Sequence, residues 1–441
     1  MERYFSLETA SSISASFDTS QFWDLEVIGI MAQLKEVSRS QIFNFGEGGS
    51  VSSMPIIQDN VLYFGCCDRN LYALTLEGKE LWRFTTKGIV SLGAENHPVI
   101  WGDMLYFGSY DSYLYCISLE GKEIWKFPTQ GKIATTPLVT ERGITFGSED
   151  GTLYHLSHQG KEVWKFRTRD PIASTPVPFG GLLVFGSFEG NVYALTLEGK
   201  LVWRFPTQGN INKTGATDGK LFFIGSWNNT FYALTKEGKE AWRFKTGGGI
   251  SSKPLVHEGV VYFTCIDDNL YGLSAKTGKL VLNFKTQNLC TQTPVIKDNF
   301  LYFGSGDGNF YALSLETKKV LWKFQATGPL FTSALEHEGK LYFGGWDCNF
   351  YCIDLQGNLQ WKFKTSLSSP VTIRIETGSS LKYSEVIHQA EGEKEEEKYK
   401  PGFLGSDSGG STQYQIKNTY VMKSKYTGGR KIKSMSSGWE D

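Results

Sequence analysis

Short apolar runs alternate with polar turns on a fixed beat through most of this chain. The phrase L-Y-F-G-S-x-D-x-x-L-Y-A-L-x-L-E-G-K-E-x-W-x-F recurs eight times. Its tryptophans are Trp82, Trp125, Trp164, Trp203, Trp242, Trp322 and Trp361, and Leu282 takes the remaining place. Successive spacings are 43, 39, 39, 39, 40, 40 and 39 residues. The phenylalanine two residues later never varies, from Phe84 to Phe363, and neither does the tyrosine of the L-Y-A-L segment, from Tyr72 to Tyr351. In the third unit the pattern predicts strands at 133–139, 143–148, 152–157 and 162–168. Turn signals at Glu149-Asp150-Gly151 and Gln159-Gly160-Lys161 divide them. Side chains alternate along the third strand, so Tyr154 and Leu156 share one face, and Leu153 and His155 the other.

Four antiparallel strands per ~40 residues make a propeller blade. A blade cannot bury both faces alone, so its neighbours must stack on it. The predicted fold is all-β: an eight-bladed β-propeller of four-stranded antiparallel blades over 41–366. Short extensions flank it at 1–40 and 367–441. The fourth-strand tryptophans fill the space between blades.

Composition sharpens this reading. The 441 residues suggest about three domains at ~150 residues each; the repeat replaces these with one ring. The 49 glycines and the 14% of aromatics belong to turns and side chains repeated in each blade. A net charge of −1 excludes a broadly basic nucleic-acid surface. Only the tail at 414–433 offers a basic cluster, with Lys417, Lys423, Lys425, Arg430, Lys431 and Lys433, and its simpler reading is a solvated end. Residues 391–400 are a solvated charge run. The N-terminus has no signal-peptide pattern, and no apolar run reaches the ~18 residues of a membrane span. Seven cysteines without zinc spacing complete the expectation of a cytoplasmic protein with reduced thiols.

Ring closure stays open. Phe43-Asn44-Phe45 lies 19 residues before Leu62, the same interval that separates most of the tryptophans from the next blade. Eight blades thus have nine candidate fourth strands, and either Phe43 or Trp361 closes the ring. In the flanks, Leu25, Ile28, Met31 and Leu34 have helical spacing, though 27–31 also fits a strand; Val371, Ile373 and Ile375 alternate as a strand.

The segment Ser274-Ala275-Lys276-Thr277-Gly278-Lys279 comes closest to the phrase A-x-D-x-x-T-G-K-x-x-W. Through it and the repeat, the chain resembles the pyrroloquinoline-quinone (PQQ)-like β-propeller family. The resemblance implies an eight-bladed ring and three kinds of relative. These are quinoprotein dehydrogenases using PQQ with calcium, the outer-membrane-protein assembly lipoprotein, and proteins of unknown role.

Candidate chemistry lies where the turns between second and third strands meet the inter-blade loops. The residue after F-G-S is in turn Cys67, Tyr110, Glu149, Phe188, Trp227, Ile266, Gly306 and Trp346. Of these, Tyr110, Phe188, Trp227, Trp346 and Cys67 form the candidate interaction face; their alternative role is to shield strand ends. The one insertion, at 91–97, adds Glu95 and His97 near the channel mouth. The next ring position is almost always acidic, from Asp68 to Asp347, and reads as turn chemistry rather than as metal ligation. Cys66-Cys67 resembles the vicinal pair of some PQQ dehydrogenases but sits in a different register. Cys116, Cys352 and His155 fill a small-residue packing slot, and Cys348 and Cys352 make a poor metal pair. No nucleophile-elbow, Walker or H-E-x-x-H motif occurs. The expectation is a non-catalytic protein-interaction or ligand-binding scaffold without a cofactor. The alternatives are a PQQ- and calcium-dependent dehydrogenase and an envelope assembly factor.

Overall fold

The computed structural model describes residues 49–90 and 96–365 in full. Of the flanks it describes the strands Arg3–Glu8, Ser12–Ser14, Gln41–Phe45, Val371–Ile375 and Ser384–His388. The expectations for residues 25–34, Glu95, 391–400 and 414–433 lie outside the described residues.

The repeat folds into eight four-stranded antiparallel blades, each built from four consecutive strands. Blade 1 is Ile56–Gln58, Val61–Gly65, Asn70–Thr75 and Glu80–Thr85; blade 2 runs from Val99 to Pro128. Blade 3 is Leu138–Thr140, Gly143–Gly147, Thr152–Leu156 and Glu162–Arg167. Blades 4 to 7 run from Val177 to Pro206, Ala216 to Lys245, Leu255 to Lys285 and Val295 to Gln325. Blade 8 ends with Leu359–Lys364, so Trp361 lies on its own fourth strand. The first strand is shorter than the pattern predicts, because residues 131–137 form the linker that enters blade 3.

Phe43 closes nothing in the ring. Gln41–Phe45 takes its place in a five-stranded sheet with Arg3–Glu8, Ser12–Ser14, Val371–Ile375 and Ser384–His388. Blade 8 already owns four strands, so no vacancy exists for a ninth candidate.

Two devices join blade to blade. The first is a clasp made by the fourth-strand tryptophan. Trp125 Nε1 donates to the His158 carbonyl of blade 3 at 3.1 Å, and its ring covers Gly160, where a Cβ would lie 2.7 Å from the indole. The same pairing joins Trp82 to Gly121, Trp164 to Gly199, Trp203 to Gly238, Trp242 to Gly278, Trp322 to Gly357 and Trp361 to Gly78. Each of these glycines also has a positive φ, between 69° and 87°. Glycine therefore meets two demands here: a left-handed backbone and close approach to a ring.

The exception supports this account. Blade 6 carries Leu282 in place of tryptophan, and blade 7 carries Lys318 in place of the glycine, at φ 56°. Lys318 instead reaches back with Nζ to the Val281 carbonyl at 2.8 Å. A left-handed non-glycine residue costs roughly 1–2 kcal/mol, offset in part by the unfolded-state entropy of glycine. Lys318→Gly is therefore expected to stabilise the ring by about 0.5–1 kcal/mol, read as a raised urea midpoint at unchanged slope.

The second device is the linker. The Ile133 N–H donates to the Ser109 carbonyl of blade 2 at 3.2 Å, while the Lys132 carbonyl accepts the Glu149 N–H of blade 3 at 2.8 Å. Ile172, Ile211, Ile250, Cys290 and Leu330 repeat the first bond. At the seam, the Val51 N–H donates to Gly345 at 3.1 Å and Ser50 accepts from Cys67 at 3.0 Å. The seam thus uses the joints of the other blades. Phe64 of blade 1 also stacks on Phe350 of blade 8 at 4.3 Å.

The outer edge is blunted. Third and fourth strands slip register by one residue in every blade, as between His155 and Leu156. The extra residue turns outward, which explains why Leu81, Ile124, Val163, Val202 and Leu321 are exposed.

Candidate functional site

The turns between second and third strands share one frame. In blade 3, Asp150 Oδ1 accepts the Thr152 N–H at 2.8 Å. Its Oδ2 accepts the Tyr154 hydroxyl at 2.9 Å and the Gln130 N–H of the linker at 3.0 Å. Asp111, Asp267, Asp307 and Asp347 bind the same three partners in their own blades. In blade 1, Asp68 accepts from Asn70 and Tyr72, and Glu189 of blade 4 accepts from Tyr193. Burial and the facing carboxylate hold the Tyr154 and Tyr193 hydroxyls protonated, pushing both up to about 12. The acidic ring is thus committed to turn building. Among the described residues, no three His, Cys, Asp or Glu side chains converge as a metal site.

One backbone bond fixes the residue after F-G-S in all eight blades: its N–H donates to a linker carbonyl, as Phe188 does to Pro171 at 3.0 Å and Trp227 to Asn210 at 3.0 Å. The frame therefore does not depend on which side chain stands there.

Tyr110, Phe188 and Trp227 are half-buried on this face. The Lys132 ammonium lies 4.9 Å from the Tyr110 ring centroid. The Trp227 ring lies against Gly249, and its indole N–H is buried without a hydrogen-bond partner. Nearby linker residues Asn210 and Asn212 also keep buried, unpartnered side-chain oxygens. Trp346 and Cys67 lie inside the protein, only 6% and 4% exposed. Trp346 Nε1 donates to Ser52 Oγ of blade 1 at 2.9 Å, and its ring meets Phe331 edge-on at 4.8 Å. These two residues belong to the seam.

The cysteines are free and buried. Cys66 occupies the serine slot of F-G-S, and its Sγ–H points to the Ser50 carbonyl at 3.5 Å. Burial, with Asp68 nearby, raises the Cys66 thiol and pushes Cys67 up to about 12, so neither is a ready nucleophile. His155 bonds to Thr145 Oγ1 at 2.8 Å and to the Arg142 carbonyl at 3.2 Å while stacking on Trp164 at 4.9 Å. Burial lowers its pKa, which fits a neutral packing residue.

His97 sits elsewhere, on the axis. The residue two positions before each first strand lines a cavity of about 350 Å³: Met54, His97, Thr136, Thr175, Thr214, Lys253, Thr293 and Ser333. Neighbouring blades are laced there. The His97 N–H donates to Thr136 Oγ1 at 3.1 Å, Thr136 to Thr175 at 3.0 Å, Thr175 to Thr214 at 3.0 Å and Thr293 to Ser333 at 3.0 Å. Only His97 of this girdle was singled out from the sequence. Its available signal was a hydroxyl residue at 136, 175 and 214, spaced by 39 residues.

A sequence model for the family described as outer membrane protein assembly factor BamB matches residues 67–206, 188–292 and 285–394. This chain belongs to the PQQ-like β-propeller repeat family. Among solved structures, the PQQ-like propeller is similar to BamB from Moraxella catarrhalis. That match has a TM-score of 0.55 at 16% identity and covers 66% of this chain and 95% of that one. It is also similar to the computationally designed Ika8 protein, with a TM-score of 0.60 at 14% identity, covering 73% of this chain and 98% of that one. Both likenesses concern the fold. No curated protein sequence matches the chain.

The quinone–calcium pair of quinoprotein dehydrogenases needs clustered oxygen ligands for the metal. In this PQQ-like propeller the turn carboxylates are engaged by tyrosine hydroxyls and backbone N–H groups, and the described residues do not fit that group. No helix among them is long and apolar enough to cross a membrane, which does not bear on β-barrels.

Proposed function

We propose that this propeller is a non-catalytic scaffold that binds a protein partner through the turn face around Tyr110, Phe188 and Trp227. The observation that carries this reading is the side-chain-independent frame. All eight turns are held by one backbone bond, yet blades 2, 4 and 5 present half-buried aromatics where blade 7 has Gly306. Half-buried aromatics on a rigid frame offer contact area at low entropic cost. The seven free thiols favour a reducing, cytoplasmic setting.

A photo-cross-linking residue placed at Phe188 or Trp227 in the native host is expected to capture a discrete partner. The same group at the outer-edge residue Leu321 is not. Capture at Leu321 alone would overturn the assignment of the face.

A second reading, as an assembly factor for outer-membrane proteins, draws support from the family match over most of the ring. It predicts co-fractionation with the cell envelope, whereas the first reading predicts the soluble fraction.

A further inference from the structure

We infer that the axial cavity binds a small oxyanion that also carries a hydroxyl, of the hydroxycarboxylate or sugar-phosphate class, with Lys253 holding its charge. The inference is independent of the protein partner proposed above. The cavity measures about 350 Å³, within the ~300–1,000 Å³ range of small-molecule sites.

Its lining is mostly hydroxyl and apolar, and Lys253 supplies the one permanent charge among the described residues that line it. Lys253 stands where other blades place Thr136, Thr175 or Thr293, so it interrupts a girdle that hydroxyls would continue. Lys253 is half-buried, and an ammonium partly shielded from bulk water inside a cavity attracts an anion more strongly than one on the open surface.

The hydroxyls are oriented for the same task. Thr175 Oγ1 accepts the Thr136 N–H, and Ser333 Oγ accepts the Thr293 N–H, each at 3.0 Å. With an acceptor position used, each keeps its O–H proton to donate to an anion.

His97 supplies the opposite polarity. It belongs to blade 2 and Lys253 to blade 6, four blades away and so across the axis in a ring of eight. His97 Nδ1 lies 2.9 Å from the Pro98 carbonyl. A carbonyl only accepts, so Nδ1 carries the proton and Nε2 is left as an acceptor. The cavity thus offers a positive charge on one wall, an acceptor for a ligand hydroxyl on the opposite wall, and the Thr175 and Ser333 hydroxyls as donors on the two flanks between them.

Isothermal titration of the full chain tests this with four probes: gluconate, glucose 6-phosphate, glucose and acetate. Gluconate or glucose 6-phosphate is expected to bind at millimolar concentration or below, and which one binds identifies the anion source. Glucose lacks the charge and acetate the hydroxyl, so both are expected to bind about tenfold more weakly. Lys253→Met should weaken the bound anion about tenfold or more, with Lys253→Arg restoring most of the affinity. Thr175→Val is the second variant should Lys253→Met fail to fold, and it should also weaken the anion. Absence of binding by both anions, acetate binding as tightly as gluconate, or unchanged affinity in folded Lys253→Met would each overturn the inference.

Discussion

Trp361→Ala is expected to destabilise the ring by about 2–3 kcal/mol, as much as Trp164→Ala does within the body of the ring. The magnitude follows from truncating a half-buried indole; fully buried tryptophans cost about 3–5 kcal/mol. The equality follows from the joints. Trp361 Nε1 donates to the Leu76 carbonyl at 2.8 Å and its ring covers Gly78; Trp164 Nε1 donates to Leu197 at 3.1 Å and covers Gly199. Chain connectivity distinguishes the two, since residues 285 apart meet at the seam and residues 33 apart meet at the inner joint. A closed ring makes that distinction irrelevant to the folded state. Urea unfolding of the two variants side by side measures this. A much smaller loss for Trp361→Ala would mean that the seam is already open in solution and that the ring behaves as an uncapped array.

Much of this architecture was legible in the sequence because each blade solves the same burial problem. Strand positions followed from alternation, as with Tyr154 and Leu156 facing blade 2 while Leu153 faces blade 4. The closing strand was not legible, because Phe43-Asn44-Phe45 satisfies the same local pattern as a true fourth strand. What excludes it is tertiary: blade 8 is already complete, and Trp361 already meets Gly78. The glycine–tryptophan contact crosses from one unit to the next, so a reading within single units misses it. Its trace was present in the joint loss of tryptophan at Leu282 and of glycine at Lys318.

The candidate site divides in the same way. The position after F-G-S marked a face, but alternation does not distinguish Trp227, half-buried there, from Trp346, which is bonded into the seam. The axial girdle is hard to read from the sequence because its threonines lie in linkers, where no hydrophobic period marks them.

Keeping His97 neutral makes the ring sensitive to mild acid, by up to about 3 kcal/mol. Desolvation inside the ring is the main cause of its depressed pKa, about 4 against an ordinary 6.5, and the Lys253 charge adds to it. Between these values the unfolded chain binds a proton that the folded ring refuses. The associated stability is therefore complete above pH ~6.5 and is lost as pH falls toward 4, at about 1.4 kcal/mol per pH unit. His155, whose pKa is also lowered by burial, acts in the same direction but is common to both proteins compared. Urea midpoints at pH 7.5 and pH 4.5 for the wild type and His97→Gln isolate the effect. The wild type should lose about 2–3 kcal/mol more than the variant, and Lys253→Met should narrow that gap by removing the opposing charge. Equal pH dependence in wild type and His97→Gln would show that His97 takes up its proton in the folded ring, and the acceptor face of the axial cavity would then be lost below neutrality.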